Sequence, residues 1–133
     1  MKNLLLTTII LIAYSNAAMA DNITVNQLTA DYKSQGAGIG NLQAGEQLWN
    51  KTFSGKAPFS ERRCATCHTS NLSNKGKHAR TGKALKPMSP SANNKRLSNL
   101  KKVKKWFKRN CKWTLGRECT AQEKSDLLTF MNQ

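Results

Sequence analysis

The sequence predicts an all-α fold in which short helices are joined by long loops. Four segments place apolar residues at helical spacing, and no segment alternates polar and apolar residues as a strand does. Start signals support two of the helices, because Thr24 with Gln27 and Thr120 with Glu123 have the spacing of a capping box. The predicted helices cover residues 24–35, 41–53 and 98–109 and a final segment that begins at Thr120.

The first two helices lie before the most informative part of the chain. The helix over 24–35 begins at its capping box and is stopped by the glycine-rich turn at residues 36–38. The helix over 41–53 has an apolar face made of Leu42, Leu48, Trp49 and Phe53. Gly55 and Pro58 then break the chain into a loop that reaches residue 63.

The second half of the chain combines one long loop with two helices. Gly, Pro, Ser and Asn are frequent from residue 69 to residue 94, which favours a wrapped loop over a strand. The helix over 98–109 has one apolar face opposite a row of lysines, and the last helix has another. Their apolar residues are Leu100, Val103, Trp106 and Phe107 in the former and Leu127, Leu128, Phe130 and Met131 in the latter.

The first twenty residues have the pattern of a secretory signal peptide. Lys2 supplies the positive start, an apolar run follows over residues 4–13, and Ala18-Met19-Ala20 is an A-x-A cleavage site. The run is about half as long as a membrane span needs, although an uncleaved anchor is the alternative. We therefore expect a signal peptide over residues 1–20 and one periplasmic domain over residues 21–133, soluble and without a membrane span after cleavage.

The chain is strongly basic, with 22 Lys and Arg against 7 Asp and Glu and a formal net charge of +15. No acidic residue occurs between Glu61 and Glu118, whereas lysines and arginines recur from Lys75 to Arg117. Such a field attracts an acidic protein, an anionic membrane surface or nucleic acid, and export argues against nucleic acid. A basic surface without a specific partner is the alternative.

One short motif indicates a cofactor. Cys64-Ala65-Thr66-Cys67-His68 has the Cys-x-x-Cys-His spacing of c-type haem attachment, in which two thiols bond to the porphyrin and the histidine binds the iron from the proximal side. A thioredoxin-like redox pair would need a βαβ context, and a zinc site would need a second matching pair of ligands. The motif predicts one covalently bound haem c, and with the helix order it predicts a class I cytochrome c fold wrapped around that haem.

The second axial ligand of the iron decides the function, and the residues themselves leave several candidates. Met88 lies between Pro87 and Pro90 in a segment like a ligand loop, but it follows His68 at about half the usual distance. His78 follows His68 too closely for an easy return to the opposite face. A lysine would first lose a proton, at a cost of roughly 4–5 kcal/mol at pH 7.

Motifs along the chain resemble those of the sphaeroides haem protein (SHP) group of c-type cytochromes. The resemblance runs from about residue 25 to the C-terminus and rests on residues 64–68, 80–83, 87–92, 103–106, 109–111, 116–120 and 123–128. It implies that Asn110 is the distal iron ligand and that Cys111 is disulfide-bonded to Cys119. The chain departs from the group in its many lysines and in carrying Met88 and His78.

The resemblance also implies a function. An amide oxygen is a hard and weak ligand that suits ferric iron better than ferrous iron, so we expect reduction to release Asn110 and to open a site for O2, NO or CO. Met88 could instead capture the reduced iron. The expected redox partner is a diheme cytochrome c or another acidic protein, to which the basic run would dock.

Four further residues are assigned around the haem. We expect Trp106 and Phe107 to pack on the haem or the core, and Arg80 and Lys83 to pair with the haem propionates. Three other functions stay open from the sequence: an ordinary electron carrier with His68 and Met88 as ligands, an enzyme that uses oxygen or nitric oxide, and a basic binding module without redox chemistry.

Overall fold

The computed structural model describes residues 22–133, so the signal peptide predicted over residues 1–20 lies outside the described part. The predicted all-α fold is confirmed by five helices in the described range. They are α1 (Ile23–Ser34), α2 (Leu42–Asn50), α3 (Cys64–His68), α4 (Leu100–Leu115) and α5 (Ala121–Met131). None of these helices has the length and hydropathy that crossing a bilayer requires.

Two antiparallel ladders close the loops on either side of α3. β1 (Phe53–Ser54) pairs with β2 (Glu61–Arg62), and β3 (Gly76–Lys77) pairs with β4 (Ala84–Leu85). The sequence did not predict them, because a strand of two residues is too short to show alternation. The ladders hold the segments before and after the Cys-x-x-Cys-His motif.

Asparagine side chains cap three of the helices. Asn22, Asn41 and Asn99 each accept a hydrogen bond from the backbone N–H three residues later, at 3.3, 2.9 and 2.9 Å. The capping box predicted at Thr24 was therefore wrong, since α1 begins one residue earlier. The capping box of Thr120 and Glu123 is confirmed, and it opens α5.

Helix α4 is longer than predicted. The apolar pattern predicts an end at residue 109, but the helix runs to Leu115 and stops at Gly116, whose φ of 75° is left-handed. No glycine or proline occurs before Gly116 to break the helix, and that is the physical reason for the difference. Asn110 consequently lies inside α4 and not at its end.

Helix α5 is the centre of the core. It is buried on most sides, and α1 and α2 pack against it. A Cβ at Gly45 would collide with the carbonyl oxygen of Asp126, so only glycine lets α2 cross α5 at this distance. The large buried side chains of the core are Leu28, Tyr32, Trp49, Leu72, Leu97, Phe107, Leu127, Leu128, Phe130 and Met131.

An ion pair joins the start of α5 to the preceding loop and makes stability depend on pH. The Arg117 guanidinium donates two hydrogen bonds of 2.7 Å to the Glu123 carboxylate and thereby holds the pKa of Glu123 below its ordinary value of 4.5. Because the folded pKa is depressed, this stabilisation is complete above the unfolded pKa and is lost as the pH falls through the folded pKa.

We expect Glu123→Gln to lower the free energy of unfolding by about 0.5 kcal/mol at pH 7, because the amide keeps the capping acceptor but loses the charge that pairs with Arg117. The loss should be smaller at pH 3.5, below the ordinary carboxyl pKa of 4.5, because the stabilisation by the charge falls once the unfolded chain takes up a proton there. Urea denaturation of the holoprotein at both pH values measures the difference, with Glu46→Gln on the exposed face of α2 as the control. An equal loss at the two pH values would contradict the assignment.

Candidate haem site

Helix α3 presents the two thiols and the imidazole of the motif together. It is a single turn over Cys64–His68, and Cys64 and Cys67 are the free cysteines of the described chain. The segment that follows is packed tightly against it, since a Cβ at Gly76 would collide with the carbonyl oxygen of Cys67. The backbone N–H of Ala79 donates to Cys67 Sγ at 3.4 Å.

Burial keeps the side chains of Cys64 and His68 uncharged. Burial raises the pKa of the Cys64 thiol to about 11. Burial also lowers the pKa of His68 to about 4, with smaller contributions from the charges of Arg96 and His78. The Nδ1 atom of His68 is buried and has no hydrogen-bond partner within residues 22–133. A neutral imidazole is the form that binds a metal, so this side chain has the protonation state that iron requires.

Trp49 and Thr69 hold the peptide that follows His68. The ring centroids of Trp49 and His68 are 5.7 Å apart, and Trp49 Nε1 donates to the Thr69 carbonyl oxygen at 2.8 Å. Thr69 has a φ of 63°, which a β-branched residue adopts only at a cost of about 1–3 kcal/mol. A hydrogen bond of 2.9 Å from its N–H to Ala65 and one of 2.6 Å from its hydroxyl to Asn71 offset that cost.

The residues predicted to pair with the propionates lie in the turn between β3 and β4. The side chains of Arg80 and Lys83 are exposed there, a few residues from the contact of this hairpin with Cys67. His78 is in the same turn, and its Nδ1 accepts a hydrogen bond of 3.2 Å from a backbone N–H three residues later. The pairing of Arg80 and Lys83 with propionates stays a prediction.

Arg96 is a half-buried cation that no sequence pattern singles out. Its guanidinium donates to the two carbonyl oxygens that precede Met88, at 2.6 and 2.7 Å, and its charge contributes to the low pKa of His68. Met88 itself packs partly buried against the core, and its N–H donates to the Leu72 carbonyl oxygen at 2.8 Å. Arg96 has no motif around it, so only the fold reveals its position.

One face of α4 lies beside the attachment helix. The Thr114 side chain is buried and lies close enough to the Cys64 thiol to influence its pKa. Asn110 is one helical turn before Thr114 on the same face, and its side chain is exposed. Trp106 is a further turn away and 45 % exposed, with the Arg109 guanidinium carbon 5.2 Å from its ring centroid.

The two aromatic residues assigned to haem packing have different surroundings. Phe107 is buried, and its ring meets that of Tyr32 edge-on with the centroids 6.2 Å apart, so it belongs to the interface of α1 and α4. Trp106 lies instead on the more exposed side of α4. Contact of either ring with a haem stays a prediction.

A disulfide bond joins Cys111 of α4 to Cys119 in the segment before α5. The S–S distance is 2.02 Å, the Cα atoms are 5.5 Å apart, and both residues are buried. A closed loop of this length removes roughly 2.6 kcal/mol of chain entropy from the unfolded state. The bond therefore fixes α4 at the residue directly after Asn110.

These residues fit a covalently attached haem. Two free thiols and a neutral imidazole share one helix, with one thiol in contact with the helix that carries Asn110. Within residues 22–133, no group of three or more His, Cys, Asp and Glu side chains comes together as a metal site, so the described residues do not assemble a tetrahedral zinc site.

The chain is similar to c-type cytochromes in sequence and in structure. Residues 35–131 match the family described as "Domain of unknown function (DUF1924)". Cytochrome c-type protein SHP of Cereibacter sphaeroides is 35 % identical over 114 residues, which is 86 % of this chain and 87 % of that protein.

Two solved structures are similar over most of the chain. The structure of oxidized SHP, described as an oxygen binding cytochrome c, gives a TM-score of 0.73 at 35 % identity and covers 81 % of this chain and 95 % of that chain. The solution structure of Methylophilus methylotrophus cytochrome c'', which is described as giving insight into haem-ligand detachment, gives a TM-score of 0.69 at 30 % identity. That match covers 84 % of this chain and 94 % of the other.

Proposed function

Because the chain belongs to the SHP group of monohaem c-type cytochromes, within the DUF1924 family, we propose that Asn110 is a distal iron ligand that reduction releases. The chain has the class I-like all-helical fold of these cytochromes and carries one haem c. When bound, the haem supplies an iron that gains or loses one electron and takes ligands on both faces. Cys64 and Cys67 hold it covalently, and His68 is its proximal ligand.

The contact between Thr114 and Cys64 is the observation that supports Asn110 most directly. It places one face of α4 against the helix that attaches the haem. Asn110 precedes Thr114 by four residues, which is about 6 Å along the helix axis, on that same face. This supports Asn110 as the distal ligand, because Asn110 is on the face of α4 that approaches the attachment helix.

The chemistry of an amide explains why Asn110 would leave on reduction. Its oxygen is neutral and hard, so it binds ferric iron better than the softer ferrous iron. The disulfide bond at Cys111 limits the movement of the backbone beside Asn110, so release is a movement of the side chain. The position that the amide leaves would then be open to a diatomic gas. Oxygen is the first candidate ligand, because the related SHP is described as an oxygen binding cytochrome c. NO and CO are also diatomic and need the same open position.

Stopped-flow mixing of the reduced protein with CO tests this function. We expect CO to bind in one fast phase, because no protein ligand has to leave first. The ferric protein serves only as the blank, because CO binds ferrous and not ferric haem iron. A slow phase whose rate is independent of the CO concentration would show that a residue still occupies the distal position after reduction, and that would contradict the proposal.

Met88 is the alternative distal ligand, and its substitution separates the two readings. Its segment is held by Arg96 and by the hydrogen bond to Leu72, with the side chain packed against the core. We therefore expect Met88→Leu to change the rate of CO binding by less than about twofold, as for a volume-conserving core substitution. Were Met88 the ligand of an ordinary electron carrier, the same change would open the iron and abolish a near-infrared sulfur-to-iron band.

We also propose that the protein works in the periplasm and that a diheme cytochrome c or another acidic redox protein docks on α4. The exposed lysines Lys101, Lys102, Lys105 and Lys108 form the basic surface of α4, and no ion pair engages them within residues 22–133. Lys104 and Lys112 on the same helix do pair, with Asp31 and Glu118. The unpaired charges raise the local concentration of an anionic partner.

Charged inorganic reductants test the basic surface of α4. We expect Lys102→Glu with Lys105→Glu to slow reduction by the anionic iron–EDTA complex about threefold at low ionic strength, and to speed reduction by the cationic hexaammineruthenium(II) ion. Salt should reduce both effects. Lys33→Glu with Lys56→Glu makes the same change of net charge at exposed residues that are not part of α4. If the two double variants behave alike, the charge on α4 has no special role.

A further inference from the structure

We propose that Arg62 is a positioning residue for the distal ligand, acting through Trp113 on the turn of α4 that carries Asn110. The inference rests on the proposed role of Asn110. It assigns to the hairpin of β1 and β2 the task of holding the distal helix at a fixed position relative to the haem-attachment helix.

The guanidinium of Arg62 forms three hydrogen bonds, one to α4 and two within its own hairpin. Its Nη1 donates to the carbonyl oxygen of Trp113 at 2.8 Å. Its Nε and Nη2 donate to the carbonyl oxygens of Phe59 and Lys56, at 3.1 and 3.4 Å, within its own hairpin loop. A Cβ at Gly55 would collide with the Arg62 Nε, so the loop is shaped to receive this side chain.

The partner on α4 is a group that the helix cannot satisfy by itself. Helix α4 ends at Leu115, and the carbonyl of Trp113 is among its last four, which have no intrahelical donor. A cation is also favoured at this end of the helix by the helix dipole. The Arg62 guanidinium carbon lies 4.9 Å from the Trp113 ring centroid, and the Phe59 ring lies 6.1 Å from the same centroid. The hairpin therefore contacts Trp113 twice, through a hydrogen bond to its backbone carbonyl and through the packing of Arg62 and Phe59 on its ring.

The position of this contact gives it a bearing on the iron. Arg62 is two residues before Cys64, at the end of β2, and Trp113 is three residues after Asn110. Positions 111 and 113 are about 200° apart around the helix, so the disulfide bond and Arg62 hold the turn after Asn110 from nearly opposite sides. Loss of Arg62 would break the hydrogen bond between the hairpin and this turn and leave the disulfide bond on the other side of the helix.

A weak ligand depends strongly on such positioning. Asn110 must be held at the iron in the ferric state, where it is bound, and not in the ferrous state, where it has left. Removing Arg62 should therefore let external ligands displace Asn110 from ferric iron more easily. The binding of CO to ferrous iron should not change. A purely structural role for Arg62 would change stability without separating the two oxidation states.

Titration of the ferric holoprotein with imidazole tests the inference. We expect Arg62→Met to tighten imidazole binding about tenfold, the effect of losing a hydrogen bond from a charged donor. Arg62→Lys keeps the charge and one donor and should show a smaller increase. Lys33→Met, an equal loss of charge on the exposed face of α1, should show none. The binding of CO to the reduced form should match the wild type in all three.

The outcomes separate this inference from the proposed function. If Asn110→Ala tightens imidazole binding but Arg62→Met does not, the role of Arg62 is overturned and that of Asn110 stands. If Asn110→Ala itself has no effect, the proposed function fails. An equal change in imidazole and CO binding would mean general loosening and would also overturn the inference. Should Arg62→Met not accumulate as holoprotein, Arg62→Lys decides on the same criteria, and imidazole binding equal to that of the wild type would overturn the inference.

Discussion

Cys64→Ser combined with Cys67→Ser abolishes covalent haem attachment, and we expect the resulting chain to lose its cooperative fold. Helix α3 is one turn long and contains no fully buried residue, so it has no means of forming by itself. The loop from residue 69 to residue 99 crosses the same region with only two-residue strands. Because the core is thin for a domain of this size, the haem must supply part of its apolar contacts.

Thermal denaturation followed by far-UV circular dichroism measures this effect, and the absorption spectrum of the denatured protein reports the attached haem. The control is Cys111→Ser with Cys119→Ser, which removes the disulfide bond but keeps both attachment thiols. It should lose roughly 2.6 kcal/mol of stability and remain folded. A cooperative transition near that of the wild type in the haem-free double variant would contradict the account and would favour a basic binding module.

Asn110→Ala has the second large expected effect, and it is confined to the oxidised protein. Removal of the amide leaves ferric iron without its distal ligand, so imidazole should bind at least about tenfold more tightly, or 1.4 kcal/mol. The binding of CO to the reduced protein should change little, since Asn110 has already left that state. Absorption titrations of both oxidation states with the two ligands measure the difference.

Lys108→Ala is the matched control for this variant, because Lys108 is an exposed residue of the same helix half a turn before Asn110. It should leave the ferric spectrum and the imidazole affinity unchanged. If Asn110→Ala also leaves them unchanged, the distal ligand is another residue, with Met88 and a lysine as the candidates.

The sequence predicted those features that depend on neighbouring residues. The haem-attachment site was predictable because the chemistry of attachment fixes the spacing of Cys64, Cys67 and His68 within five positions. The local capping box of Thr120 and Glu123 likewise predicts the start of α5. The order of the long helices followed from apolar periodicity, which reports the burial of one face whatever lies opposite to it.

The features that the sequence did not predict depend on contacts between distant residues. Arg62 and Trp113 are 51 residues apart in the sequence, and Trp49 and Thr69 are 20 residues apart. No local pattern predicts either contact. Asn110 became a candidate only through the resemblance to the SHP group, since an asparagine within a lysine-rich helix has no pattern of its own. The end of α4 was placed too early because nothing short of Gly116 marks it.

The coordination number of the iron in each oxidation state tests the central claim most directly. Resonance Raman spectroscopy of the wild-type holoprotein measures it without any substitution. The account predicts six-coordinate iron in the oxidised protein and five-coordinate iron in the reduced protein. Six-coordinate reduced iron without any added ligand would contradict it, since a residue of the chain would then still close the site.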